Sequence, residues 1–200
     1  ATSTITPKRP SSRRWPRPWR RRWSMLETRR RCTASAAWRG ARWRTRAPGS
    51  RRSPAPIVGV VQGRALGFGC ALAALFDITI ASATATFQLP EMSHNIMPTM
   101  AMSSLIDRLG RKAAMYLTYS TEEIDARTAL AYGLVSRVVP DDRLDAQLDL
   151  VCAALDKAPM PAVLAVKEYA TNAITMSIEQ ASYFARSLHA AVNTSAGMRG

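Results

Sequence analysis

Apolar and polar positions along this chain follow two regimes that meet near Pro56. Before it, hydrophobic residues show no period of two or 3.6: Arg13-Arg14-Trp15-Pro16-Arg17-Pro18-Trp19-Arg20-Arg21-Arg22-Trp23 mixes cations, indoles and prolines. Pro10, Pro16, Pro18, Pro48, Pro54 and Pro56 interrupt any helix, because proline lacks the amide hydrogen and clashes with the preceding turn. With few aliphatic side chains to offset the entropy of ordering a backbone, residues 1–55 are expected to be disordered.

After Pro56 the pattern becomes regular. Pro56-Ile57-Val58-Gly59-Val60-Val61 reads as a buried strand. Gln62 to Gly69 is a glycine-punctuated loop, and Cys70 to Phe76 an all-apolar buried helix. Strands are expected at Asp77–Ala81 and Ala85–Leu89, the second running into Pro90-Glu91. The period then turns helical, with helices at Thr99–Arg108, Arg111–Thr118 and Ile124–Tyr132, the last stopped by Gly133. A strand over Leu134–Pro140 precedes a helix that opens on Asp141-Asp142, acids at its positive end, and runs to Lys157. Pro159 and Pro161 mark a break before helices at 162–175 and 178–192. Short β-β-α turns followed by many helices predict an α/β core with a C-terminal helical region. No internal repeat is strong enough to assert.

Charge sharpens the division. Residues 1–56 hold 17 of the 28 Lys and Arg, one of the 14 acids (Glu27) and all five Trp, so they carry +16 and the remainder −2. The two parts must be read separately. Four readings of the basic part stand side by side: a nucleic-acid arm using Arg on phosphates and Trp on bases, a transit peptide, a solvated tail without a role, and GC-rich DNA translated out of frame. Nucleic acid is not the expected partner. Cys32, Cys70 and Cys152 are isolated, which offers no disulfide framework or zinc spacing and points to a reducing compartment. The apolar runs are broken by Asp77, Gln88 and Glu91, so no membrane span is expected.

One turn carries readable chemistry. Gly67-Phe68-Gly69-Cys70 runs from a loop into a helix start, where backbone N–H groups lack intrahelical partners and suit a developing negative charge. The wider segment Pro56 to Cys70 is similar to K-P-V-I-A-A-V-x-G-x-A-x-G-G-G of the enoyl-CoA hydratase/isomerase (crotonase) family. Asp77, Phe87-Gln88-Leu89-Pro90-Glu91 and the block Ile124 to Pro140, with Gly133-Leu134-Val135 and Val138-Val139-Pro140, resemble the family at its spacing. The resemblance covers residues 56–195.

That resemblance implies an α/β fold with a crotonase-like ββα spiral core, N-terminally incomplete here. The expected division is a basic segment at 1–55, a partial core at 56–158 and C-terminal helices at 159–200 that build a homotrimer or hexamer. The implied activity is stabilisation of a thioester enolate from an acyl-CoA substrate, with no cofactor or metal, in the cytoplasm (or a eukaryote's mitochondrion). Phe68, the middle residue of the triplet, would donate its backbone N–H to the enolate oxygen, flanked by Gly67 and Gly69. Arg64, Ala65, Leu66, Ala71 and Pro90 would line the substrate site. Glu91 would be the catalytic carboxylate.

The chain also departs from the family pattern. Ala71 stands where hydratases of the family place their first glutamate, which favours single-base double-bond isomerisation. The A-G-x-D-type loop that would supply a second oxyanion donor has no match in the Arg/Trp stretch. A non-catalytic remnant and an RNA-binding protein are the alternative readings. His94 and His189 are expected to be spectators, Asp77 a cap or turn residue, and Met92, Met97, Met100 and Met102 an acyl pocket or plain core.

Overall fold

The computed structural model describes Ser53, residues 55–195, and the backbone of two strands at 34–38 and 41–45. Strands β1 (Ala34–Trp38) and β2 (Ala41–Thr45) form an antiparallel pair, and β2 pairs antiparallel with β3 (Val58–Gln62). Strands β1 and β2 fall within the 1–55 segment expected to be disordered. The edge of β3 offers unpaired backbone groups, and pairing along such an edge needs no particular side chains. The rest of 1–55 lies outside the described residues, apart from Ser53 and Ala55.

From β3 onward the chain climbs in repeating turns. After β3 it bends at Gly63 into β4 (Arg64–Leu66), then enters helix α1 (Phe68–Leu75). It returns through β5 (Ile78–Ser82), parallel to β3, and β6 (Thr86–Gln88), parallel to β4. A 3-10 turn (Glu91–His94) and helix α2 (Thr99–Leu105) complete the second turn, and α2 packs on α1. This is an internal structural repeat that the sequence does not display, because strand and helix faces are matched by position and not by residue identity. Helix α3 (Arg111–Ser120) leads to a short strand β7 (Ile124–Asp125), antiparallel to β6. The expected helix from 124 therefore starts at Ala126 as α4 (Ala126–Ala131), with the Asp125 side chain accepting from the Thr128 amide at 2.7 Å. Strand β8 (Arg137–Val139) joins β5 in parallel, giving one sheet of order β1-β2-β3-β5-β8 and a second of order β4-β6-β7. The Asp141–Arg143 segment is a 3-10 turn, so α5 begins later than expected, at Leu144, and ends at Lys157. Helices α6 (Met160–Asn172) and α7 (Ile178–Asn193) close the described chain.

Alternation along β3 explains the layering. Val58 and Val60 share a cluster with Ile80, Val139 and Leu144, so one sheet face packs on α5. Ile57 and Val61 join the other cluster, with Phe76, Phe87, Leu89, Leu105 and Leu117. Gly59 lies on that second face because the Phe76 ring occupies the space of its missing side chain: a Cβ there would sit 1.8 Å from the ring.

Asp77 does more than cap. Its Oδ2 accepts from the Ile57 amide at 2.7 Å and from Lys167 Nζ at 2.5 Å. Lys167 Nζ also reaches the Ala55 carbonyl at 3.3 Å. The pair fastens α6 to the starts of β3 and β5, a contact across 90 residues that no local pattern announces.

Candidate active site

Helix α1 begins at Phe68 because Gly67 reverses the chain. Gly67 has φ 52° and ψ −115°, a conformation that side-chain-bearing residues rarely adopt. Its amide donates to the Gln88 carbonyl at 2.8 Å, and its carbonyl accepts from Ala71 N at 3.0 Å. The turn is thus tied on one side to the end of β6 and on the other to the first turn of α1. Phe68 and Gly69 then open the helix, where amides have no carbonyl one turn earlier to receive them.

Glu91 faces this turn. A Cβ on Gly67 would lie 3.1 Å from Glu91 Oε1 and 3.8 Å from its Cδ, so the absence of a side chain lets the carboxylate approach the helix start. The Glu91 Oε2 atom is buried and has no hydrogen-bond partner. The main chain beneath it is well anchored. Ser93 N and Oγ both donate to the Pro90 carbonyl, at 3.0 and 2.6 Å, and Ile96 N donates to the Glu91 carbonyl at 2.9 Å. A carboxylate held by an anchored turn, with Oε1 beside the helix start and Oε2 unengaged, can accept and return a proton.

Cys70 lies one helical step behind, fully buried. Burial pushes its thiol up to about 12, and the neighbouring Glu91 charge adds to the rise. It is a neutral packing residue and no nucleophile.

The structure brings together Gly67, Phe68, Gly69, Pro90 and Glu91. Ala65 and Ala71 are buried with their methyl groups in the core, so only their backbone could meet a ligand. Ala71 leaves that position without a carboxylate. Arg64, at the opposite end of β4 from Gly67, is engaged by Glu123: Nε to Oε1 at 3.1 Å and a terminal nitrogen to Oε2 at 2.5 Å. The guanidinium holds the Glu123 carboxyl below the usual carboxylate range. Leu66 is half-buried. His94 is exposed at the end of the Glu91 turn, and His189 shares a 2.8 Å hydrogen bond with Asn193 on α7. The methionines divide: Met92, Met97 and Met100 are exposed, whereas Met102 turns inward, its sulfur accepting from Thr118 Oγ1. Among the described residues no cluster of His, Cys, Asp or Glu could hold a metal ion, and no helix is long and apolar enough to cross a membrane.

Gln88 is the positioning residue that sequence reasoning passed over. Its carbonyl holds the Gly67 amide, and its Nε2 donates to the Thr121 carbonyl at 2.8 Å, which anchors the loop after α3, where Thr121 has φ 53°. The available signal was its place in β6 between the buried Phe87 and Leu89, which turns it out of the core.

Two consecutive ββα turns, with a glycine-built helix start facing a carboxylate, define a ββα spiral fold. In keeping with this, residues 48–199 match the family Enoyl-CoA hydratase/isomerase, and the chain belongs to that family. A Rhizobium meliloti protein named "Probable enoyl-CoA hydratase" is 36% identical over 137 residues, which cover 66% of this chain and 52% of that protein. The 2,3-dehydroadipyl-CoA hydratase of Escherichia coli is 42% identical over 88 residues, covering 44% of this chain and 34% of that one. The crystal structure of an enoyl-CoA hydratase from Mycobacterium smegmatis superposes with a TM-score of 0.71 at 28% identity, covering 74% of this chain and 58% of that one. The chain spans about half the length of the first of these relatives.

Proposed function

We propose that this chain binds an acyl-CoA thioester and moves its double bond, with Glu91 as the single acid–base. The observation that carries this reading is the approach of the Glu91 carboxylate to the Gly67 turn, which sets a proton acceptor beside the first amides of α1. Glu91 takes a proton from carbon 2 of a 3-enoyl thioester. Negative charge moves to the thioester oxygen, where the Phe68 amide meets it. The protonated Glu91 then returns the proton at carbon 4, leaving the 2-enoyl product. No water is consumed and no second carboxylate is required, which agrees with Ala71. The unpartnered Oε2 supports a carboxylate free to exchange a proton.

A second reading, a family member that binds acyl-CoA without turnover, is favoured by the buried methyl of Ala71 and by the absence of an A-G-x-D-type loop from the sequence. Self-association through α6 and α7 is part of the same proposal. Both helices expose apolar side chains, with Val166, Ile178 and Tyr183 outward while Tyr169 and Phe184 stack between them at 6.0 Å.

The test is Glu91→Gln, assayed for 3-enoyl-CoA isomerisation and for hydration of 2-enoyl-CoA. Isomerisation by the native chain should fall about 10²–10⁴-fold in the variant, with acyl-CoA binding kept and hydration negligible in both. Unchanged isomerisation removes Glu91 from the mechanism. Binding without turnover in the native chain supports the second reading.

A further inference from the structure

Helix α1 is apolar and packs most of its length into the core, yet its first residue does not. The Phe68 side chain is 58% exposed. Cα–Cβ bonds in a helix tilt toward its N-terminus, so the side chain of the first helical residue overhangs the helix end and not its flank. At that same end Gly67 lies against the Glu91 carboxylate. Phe68 therefore carries its amide and its exposed ring at the helix end beside which the Glu91 carboxylate lies. Met92, Ile96 and Met97 are exposed in and after the Glu91 turn, as is Met100 on α2.

We infer that Phe68 is a specificity-determining residue whose ring walls off the space beside carbon 2 of an acyl thioester, admitting unbranched chains and rejecting those substituted at carbon 2. The inference rests on the proposed reading of the site. A thioester oxygen accepting from the Phe68 amide sits about 3 Å from that nitrogen. Its carbonyl carbon lies about 1.2 Å further and carbon 2 roughly 1.5 Å beyond that. Carbon 2 is then within about 6 Å of the Phe68 amide nitrogen, the width of a side chain. A methyl branch at carbon 2 and an aromatic ring cannot share that volume unless one of them moves. Smaller residues at position 68 would leave it open. One carbon more or less against an apolar wall changes selectivity by about 10–200-fold.

Titration calorimetry on the full chain with 2-butenoyl-CoA and 2-methyl-2-butenoyl-CoA tests this. The native chain should bind the unbranched thioester at least about tenfold more tightly. Phe68→Ala should shrink the ratio to about twofold or less by gaining the branched ligand, and Phe68→Tyr should retain it. Circular dichroism checks that each variant is folded. The same ratio in the native chain and Phe68→Ala overturns the inference and leaves the site reading intact. Loss of both ligands by a folded Phe68→Ala makes the ring an affinity contact and also overturns it. Failure of the native chain and Phe68→Ala to bind either thioester overturns the site reading itself, and the inference with it.

Discussion

Replacing Gly59 with Ala should destabilise the fold through one contact, whose size can be worked out. Gly59 is on β3, and the Phe76 ring at the end of α1 stands where its side chain would be. The added methyl would lie 1.8 Å from Phe76 Cδ2, 2.2 Å from Cε2 and 2.7 Å from Cγ. Carbon atoms rest at about 3.5–4.0 Å, so the ring must retreat by roughly 2 Å. It has little room, since Phe76 is buried among Ile57, Ala73 and Leu109 in the same cluster. Overpacking of this kind costs about 1–3 kcal/mol. Urea unfolding followed by circular dichroism should show the loss as a lower midpoint at unchanged slope. Phe76→Leu alone should also destabilise, by deleting core volume. In the double variant the smaller residue makes space for the new methyl, so the combined loss should fall short of the sum by about 1 kcal/mol or more. A neutral Gly59→Ala, or strict additivity in the cycle, would refute the claim that the ring fills the glycine's missing side chain.

Two further outcomes are expected. Asp77→Ala should cost more than Lys167→Met in thermal or urea unfolding, with the first near 3 kcal/mol. Lys167 is 8% exposed and would keep only the 3.3 Å carbonyl contact, whereas Asp77 is 24% exposed and keeps the Ile57 amide; negligible losses in both variants would show that the pair does not fasten α6, and a larger loss in Lys167→Met would refute the ordering. Light scattering should give a trimer or hexamer that Ile178→Asp with Tyr183→Asp converts to monomer, since both residues are exposed on α7. A monomeric native chain counts against association through this face.

Much of the site was legible in one dimension. Glycines at 67 and 69 flanking a helix start, and a glutamate after a strand and a proline, identify an amide-lined turn and a carboxylate because both depend on local backbone chemistry. The sequence does not show that the Glu91 carboxylate comes to lie against Gly67, 24 residues earlier. The positions of helices α1 to α7 were also largely legible, since amphipathic period, Gly133 and the prolines act within a few residues. Their ends were less so. The two-residue strand β7 replaces the first turn of an expected helix because pairing with β6 captures Ile124 and Asp125.

What the sequence determined by itself is the division at Pro56, the order of elements beyond it, the glycine-flanked helix start at Gly67–Gly69, a glutamate after Pro90 and the lack of a carboxylate at Ala71. Each is set by residue type or short-range spacing. Only the tertiary structure decided that β3, β4 and α1 are repeated by β5, β6 and α2, that Gln88 ties Gly67 in place, that Arg64 is held by Glu123, and that Asp77 meets Lys167. Those facts depend on which faces meet after the chain has wound back on itself. Pairing across 20 to 90 residues leaves no periodic trace, because a partner's identity is fixed by where the backbone carries it.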